Sequence, residues 1–101
     1  MPRLIVNPGT DQAFELVLKS GTNSIGRSPE NDLPVEHESI STRHCEILVN
    51  ESQVTLYDLE SASGSHVEGN RIEQADLQNG RRFSLGQVEF EFQVESPERP
   101  F

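Results

Sequence analysis

An all-β fold, a sandwich of two antiparallel sheets with functional loops at one end, is predicted by three features of the chain. Short apolar or alternating runs recur along it, turn residues separate them, and no apolar stripe of helical period is sustained. The first run, Leu4-Ile5-Val6, ends at Asn7-Pro8-Gly9, residues that set or tolerate the dihedrals of a tight turn. Phe14 to Leu18 follows and stops at Ser20-Gly21, and Asn23 to Gly26 forms the next run. Cys45 to Val49 and Val54 to Asp58 flank Asn50-Glu51-Ser52, which reads as a turn between two strands. Gly69-Asn70 and Asn79-Gly80 mark further turns, and Gly86 separates Arg82 to Leu85 from Val88 to Val94. That last run has the cleanest period of two. Val88, Phe90, Phe92 and Val94 share one face, while Glu89, Glu91 and Gln93 share the other, which predicts a half-buried strand.

A chain of 101 residues, 33% hydrophobic and 25% charged, fits one small domain. Glu95 to Phe101 contains two prolines that cannot continue a central strand, so residues 1–94 are expected to form the domain and 95–101 a tail or the start of a linker. Further domains of a longer parent chain are compatible with this ending. The net charge of -9 repels phosphodiester backbones and anionic membrane surfaces, which argues against nucleic acid and membrane as partners. Cys45 has no partner for an internal disulfide, and no apolar run is long enough to span a bilayer, so a reducing, cytoplasmic setting is expected. The compact form suggests a bacterial origin.

The stretches without a clear strand run from Ser28 to Thr42 and from Glu60 to Ile72, and long loops on a rigid base are where function is sought. Three catalytic or metal readings fail on residue type or context. Gly21 to Ser28 approaches a nucleotide phosphate loop, but Arg27 stands where lysine is required and Pro29 follows where a helix should begin. Ser41, His44 and Asp58 name a nucleophile triad without a nucleophile elbow around the serine. His37, His44, His66 and Cys45 lack metal-ligand spacing, so neither metal nor cofactor is expected, and the chain is read as non-enzymatic. What remains is a donor set at loop positions. Arg27 after Gly26, and Ser41-Thr42-Arg43-His44, bring two guanidiniums and two hydroxyls, the groups that bind a phosphate dianion.

In these residues the chain resembles a forkhead-associated domain from about Leu4 to Val94. The resemblance is carried by Gly26-Arg27, by Ser41-Thr42-Arg43-His44, by Asp58-Leu59-Glu60-Ser61-Ala62-Ser63-Gly64-Ser65, by Val67-Glu68-Gly69, and by Leu77-Gln78-Asn79-Gly80 leading to Leu85-Gly86. It implies a sandwich of about eleven short strands that binds phosphothreonine in a partner protein or peptide through loops at one end. Carried over by position, Arg27 pairs with the phosphate, Ser41 donates its hydroxyl, Thr42 adds its backbone N–H, and Arg43 supplies a second basic contact. His44 becomes a structural residue that ties the loops together, and Gly26 and Gly64 permit close approach or unusual dihedrals. The sequence departs from the family at Ala62-Ser63, where an asparagine usually holds the ligand backbone. Ser63 has one hydroxyl in place of an amide's paired donor and acceptor, which predicts weaker or reoriented peptide binding. Arg81 stands where aspartate is common, a difference expected to matter only for a turn. Glu36, Glu38, Glu60, Glu68 and Glu73 read as a solubilising surface. The alternative reading is an interaction or oligomerisation scaffold of the same fold that does not require phosphate.

Overall fold

A computed structural model describes residues 2–94, so the tail expected at 95–101 lies outside the described residues. Eleven strands form two sheets: β1 (Arg3–Val6), β2 (Phe14–Val17), β3 (Gly21–Gly26), β4 (Leu33–Pro34), β5 (Cys45–Val49), β6 (Val54–Asp58), β7 (Ser65–Val67), β8 (Asn70–Ile72), β9 (Gln74–Leu77), β10 (Arg82–Leu85) and β11 (Val88–Gln93). One sheet has the order β2-β1-β11-β10-β7-β8 and the other β4-β3-β5-β6-β9. All seven apolar runs of the sequence fall on strands. β4, β7, β8 and β9 carry too few apolar residues to stand out as runs.

The alternation of β11 is realised, with Val88, Phe90 and Phe92 buried and Glu89 exposed. Phe90 stacks on Phe83 of β10 at 5.2 Å between ring centroids. Across the sandwich lie Ile25, Cys45, Ile47 and Leu56, all fully buried. Burial pushes the Cys45 thiol far above its ordinary range, so it packs as a small hydrophobe. Arg81 is a turn residue, its N–H donating to Gln78 O at 2.8 Å.

One expectation is corrected. The second sheet is not wholly antiparallel, because β4 pairs in parallel with β3, Leu33 opposite Ile25 and Pro34 opposite Gly26. The connection folds back along its own strand. Asp32 accepts hydrogen bonds from Ser24 N–H at 2.9 Å and Ser24 Oγ at 3.2 Å, and its own N–H donates to Ser24 Oγ at 2.9 Å. The returning chain therefore runs beside β3 in the same direction for two residues, Leu33 and Pro34, the second of a type that suits a sheet edge.

Candidate functional site

Three loops converge at one end of the sandwich: residues 27–32 after β3, 35–44 before β5, and 59–64 after β6. The first two are joined by close backbone approach at Gly26. A Cβ there would run into Thr42 O and come within 2.8 Å of Asn31 Nδ2. With no side chain in the way, Arg27 N–H donates to Ser41 O at 2.9 Å and Ser28 N–H to Thr42 O at 3.3 Å. Asn31 closes the junction, its Nδ2 donating to Thr42 O at 2.7 Å and Ser28 O at 2.8 Å.

The third loop is held by side chains. Asp58 accepts from Ser61 Oγ at 2.6 Å, Ser65 Oγ at 2.7 Å and Ser61 N–H at 3.2 Å. Burial works against its charge, but these hydrogen bonds outweigh it and hold the carboxyl below the usual carboxylate range. Ser61 Oγ in turn accepts from Gly64 N–H at 3.1 Å, and Arg71 Nη2 donates to Ser61 O at 2.8 Å. Gly64 adopts φ of 90°, a left-handed conformation that costs glycine least.

His44 connects the two assemblies. Its ring is fully buried; Nδ1 accepts from Ser41 N–H at 3.1 Å and Nε2 donates to Gly64 O at 3.0 Å. Those partners require the neutral ring with its proton on Nε2. Burial lowers its pKa, against the opposing pull of the Gly64 carbonyl and of Asp58 Oδ1 at 4.0 Å. The triad read from residue type does not assemble, since Ser41 meets the His44 ring through its backbone. Its hydroxyl lies instead against the third loop, where Ala62 N–H donates to Ser41 Oγ at 3.1 Å. With one lone pair of Oγ engaged, the Ser41 proton is left to donate outward.

These contacts shape a shallow depression of about 290 Å³ whose walls include Arg27, Glu38, Ser41, Thr42, Ala62 and Ser63. Arg27 is exposed and forms no ion pair among the described residues. Thr42 N–H donates to no described residue. The depression thus brings together the Arg27 guanidinium, the Ser41 hydroxyl and the Thr42 backbone N–H, with the hydroxyls of Thr42 and Ser63 also in its lining, a donor set matched to an anion with several acceptor oxygens. Arg43 does not line the depression, and its Nη2 is bonded to Glu46 at 3.1 Å. Glu38, read from sequence as surface, stands on the rim of the depression and adds a negative charge.

Sequence reasoning missed the roles of Asn31, Ser61, Ser65 and Arg71. The Asp58-x-x-Ser61 spacing was a legible turn signal, in which a carboxylate accepts from a backbone N–H a few residues on. Nothing local marks Arg71, which lies ten residues from the carbonyl it holds.

Comparison with known proteins places the chain among related ones. A family model described as FHA domain matches residues 23–86. The oxoglutarate dehydrogenase inhibitor of Corynebacterium efficiens is 28% identical over 88% of this chain and 63% of its own length. The glycogen accumulation regulator GarA of Mycolicibacterium smegmatis is 27% identical over 88% of this chain and 56% of its own. The chain therefore spans less than two thirds of these relatives. The crystal structure of the FHA domain of CT664 from Chlamydia trachomatis superposes with TM-score 0.85 at 31% identity, covering 94% of this chain and 98% of that one. The FhaA FHA domain, crystallised in complex with the intracellular domain of Rv3910, superposes with TM-score 0.84 at 26% identity, covering 92% and 100%.

Proposed function

The chain belongs to the FHA domain family, and from that premise we propose that it is a non-catalytic binding module that reads phosphothreonine on a protein partner. The observation that carries this reading is the pair at the depression, an exposed Arg27 without a carboxylate partner among the described residues and a Ser41 hydroxyl aimed by Ala62 N–H. A phosphothreonine brings about -1.5 to -2 charges and three acceptor oxygens. Arg27 supplies charge and a planar fork, Ser41 its hydroxyl proton, and Thr42 its backbone N–H. His44 and Gly26 touch no ligand; they keep these donors in place before binding, so that little ordering remains to be done on association. A structure of FHA domains that interact in a phosphothreonine-dependent way is 25% identical with TM-score 0.83, which supports the same reading.

Glu38 and Ser63 shape the second side of this reading. Glu38 offsets the charge of Arg27, and Ser63 offers the ligand backbone a single hydroxyl, so the phosphate contact dominates and the peptide grip is weak. The competing reading, a scaffold that ignores phosphate, is favoured by the carboxylate on the rim. Titration of wild-type and Arg27→Ala proteins with a degenerate phosphothreonine peptide library and its unphosphorylated twin separates the two. Charge-assisted bonds contribute about 1.5–3 kcal/mol each, so Arg27→Ala is expected to abolish binding in the micromolar range. Equal binding of both libraries would refute the phosphate reading.

A further inference from the structure

A second cavity of about 690 Å³ is lined by residues of an edge strand from each sheet, Phe14 of β2 and Pro34 of β4. Phe14, Pro29, Pro34, Val35 and Val88 give it an apolar floor, and Glu36 stands at its wall. Phe14 is 45% exposed, one of two large hydrophobic side chains that the described surface leaves open; the other, Val17, points to the opposite face of β2. The groove is separated from the Arg27 depression by a wall that hydrogen bonds hold together. Ser39 lines the depression, and its Oγ accepts from Gln87 N–H at 2.9 Å and lies 2.8 Å from His37 Nδ1, while Gln87 and His37 line the groove. Gly86 keeps that wall thin, since a Cβ on it would collide with Ser39 O. Along the same wall the exposed carboxylates alternate, Glu36 on the groove side and Glu38 on the depression side.

We propose that the polypeptide whose phosphothreonine sits at Arg27 and Ser41 continues across this wall and seats an apolar side chain in the groove against Phe14, with a basic residue between the two anchors opposite Glu36 and Glu38. The inference rests on the phosphothreonine reading. It follows from the shared wall, which sets the two cavities side by side, and from charge complementarity to the two glutamates. An aromatic half open to water gains by being covered, while the phosphate fixes the register of the segment that covers it. The second anchor offsets the weak grip that Ser63 provides on the ligand backbone.

The test screens wild-type, Phe14→Ala and Glu36→Lys proteins against a phosphothreonine peptide library randomised over about seven positions on each side, roughly 23 Å of extended chain. The unphosphorylated library serves as control, and sedimentation of each protein is measured without peptide. Wild type is expected to enrich an apolar residue on one side of the phosphothreonine with lysine or arginine between. Phe14→Ala should lose the apolar enrichment and bind the enriched peptides about three- to tenfold more weakly while keeping full phosphate dependence. Glu36→Lys should lose the basic preference alone. Phosphate-dependent binding without apolar enrichment, or with enrichment that Phe14→Ala leaves intact, overturns this inference and spares the phosphothreonine reading. Absence of phosphate dependence in wild type overturns both. A dimer in sedimentation that Phe14→Ala abolishes assigns the groove to a second copy of the chain and overturns the inference.

Discussion

On the wall of the depression that carries Arg27, the chain is held mainly by backbone: Gly26 lets residues 41 and 42 approach, and main-chain N–H groups bond main-chain carbonyls. On the facing wall, residues 58–65 are held by side chains around a buried carboxylate, with the Ser61 and Ser65 hydroxyls on Asp58 and Arg71 clamping Ser61 O. At Gly26 the first wall has no room for an added atom, whereas the second is organised around the Asp58 charge. A site assembled from both is sensitive to steric change on one side and to protonation on the other, with the neutral His44 ring spanning them.

The largest effect that follows from this contrast belongs to Gly26→Val. Its branched side chain must displace the Thr42 carbonyl, a backbone group that cannot rotate aside, so urea unfolding should show a loss of about 3 kcal/mol or more together with loss of phosphopeptide binding. Wild-type stability in that variant would mean that the backbone wall yields readily, and the contrast would collapse. Asp58→Ala comes next. Removing the carboxylate strands two hydroxyls that now share it, at an expected cost of about 2–3 kcal/mol. Because the Arg27 wall does not depend on Asp58, its amides should keep their hydrogen-exchange protection in this variant. Equal loss of protection on both walls would show that they form one unit.

Acid provides a gentler probe of the same side. The folded pKa of His44 lies below the ordinary 6.5, so the unfolded chain takes up this proton first and stability should decline as pH falls through 6.5 toward the folded value. Asp58 is held below the ordinary 3.8, so its contribution is present above that value and is lost at still lower pH. Thermal melts from pH 7.5 to pH 5 should show a falling midpoint in wild type and a flatter profile in His44→Asn. A flat wild-type profile would remove His44 as the pH-sensitive tie. The smallest effect is expected at Arg43, whose exposed pair with Glu46 contributes about 0.5 kcal/mol or less. Arg43→Ala should leave phosphopeptide affinity nearly unchanged, and a tenfold loss would move this guanidinium into the site.

Periodicity and turn chemistry are local properties, and the elements built on them were legible along the chain. The alternation of β11, the turn at Asn50-Glu51-Ser52 and the strand ending at Gly26 all needed only neighbours in sequence to be recognised. The residues proposed to meet the anion could be picked out for the same reason, because Arg27 and Ser41-Thr42 lie in short segments of distinctive composition. Strands β4, β7, β8 and β9 were not legible, since each has two to four residues and takes its conformation from the strand beside it. The parallel course of β4 depends on Asp32 reaching back eight residues to Ser24. Sequence could place Arg43 beside the anion donors, but only the folded chain shows its guanidinium drawn to Glu46 and Glu38 brought to the rim. Short-range pattern therefore determined the fold class, and the motifs that carry the family resemblance pointed to the proposed ligand, because both depend on residue type over a few positions. Which donors converge, and which charges oppose them, was decided by contacts between loops 20 residues or more apart, such as His44 with Gly64 and Ser41 with Ala62, which exist only once the two sheets have packed.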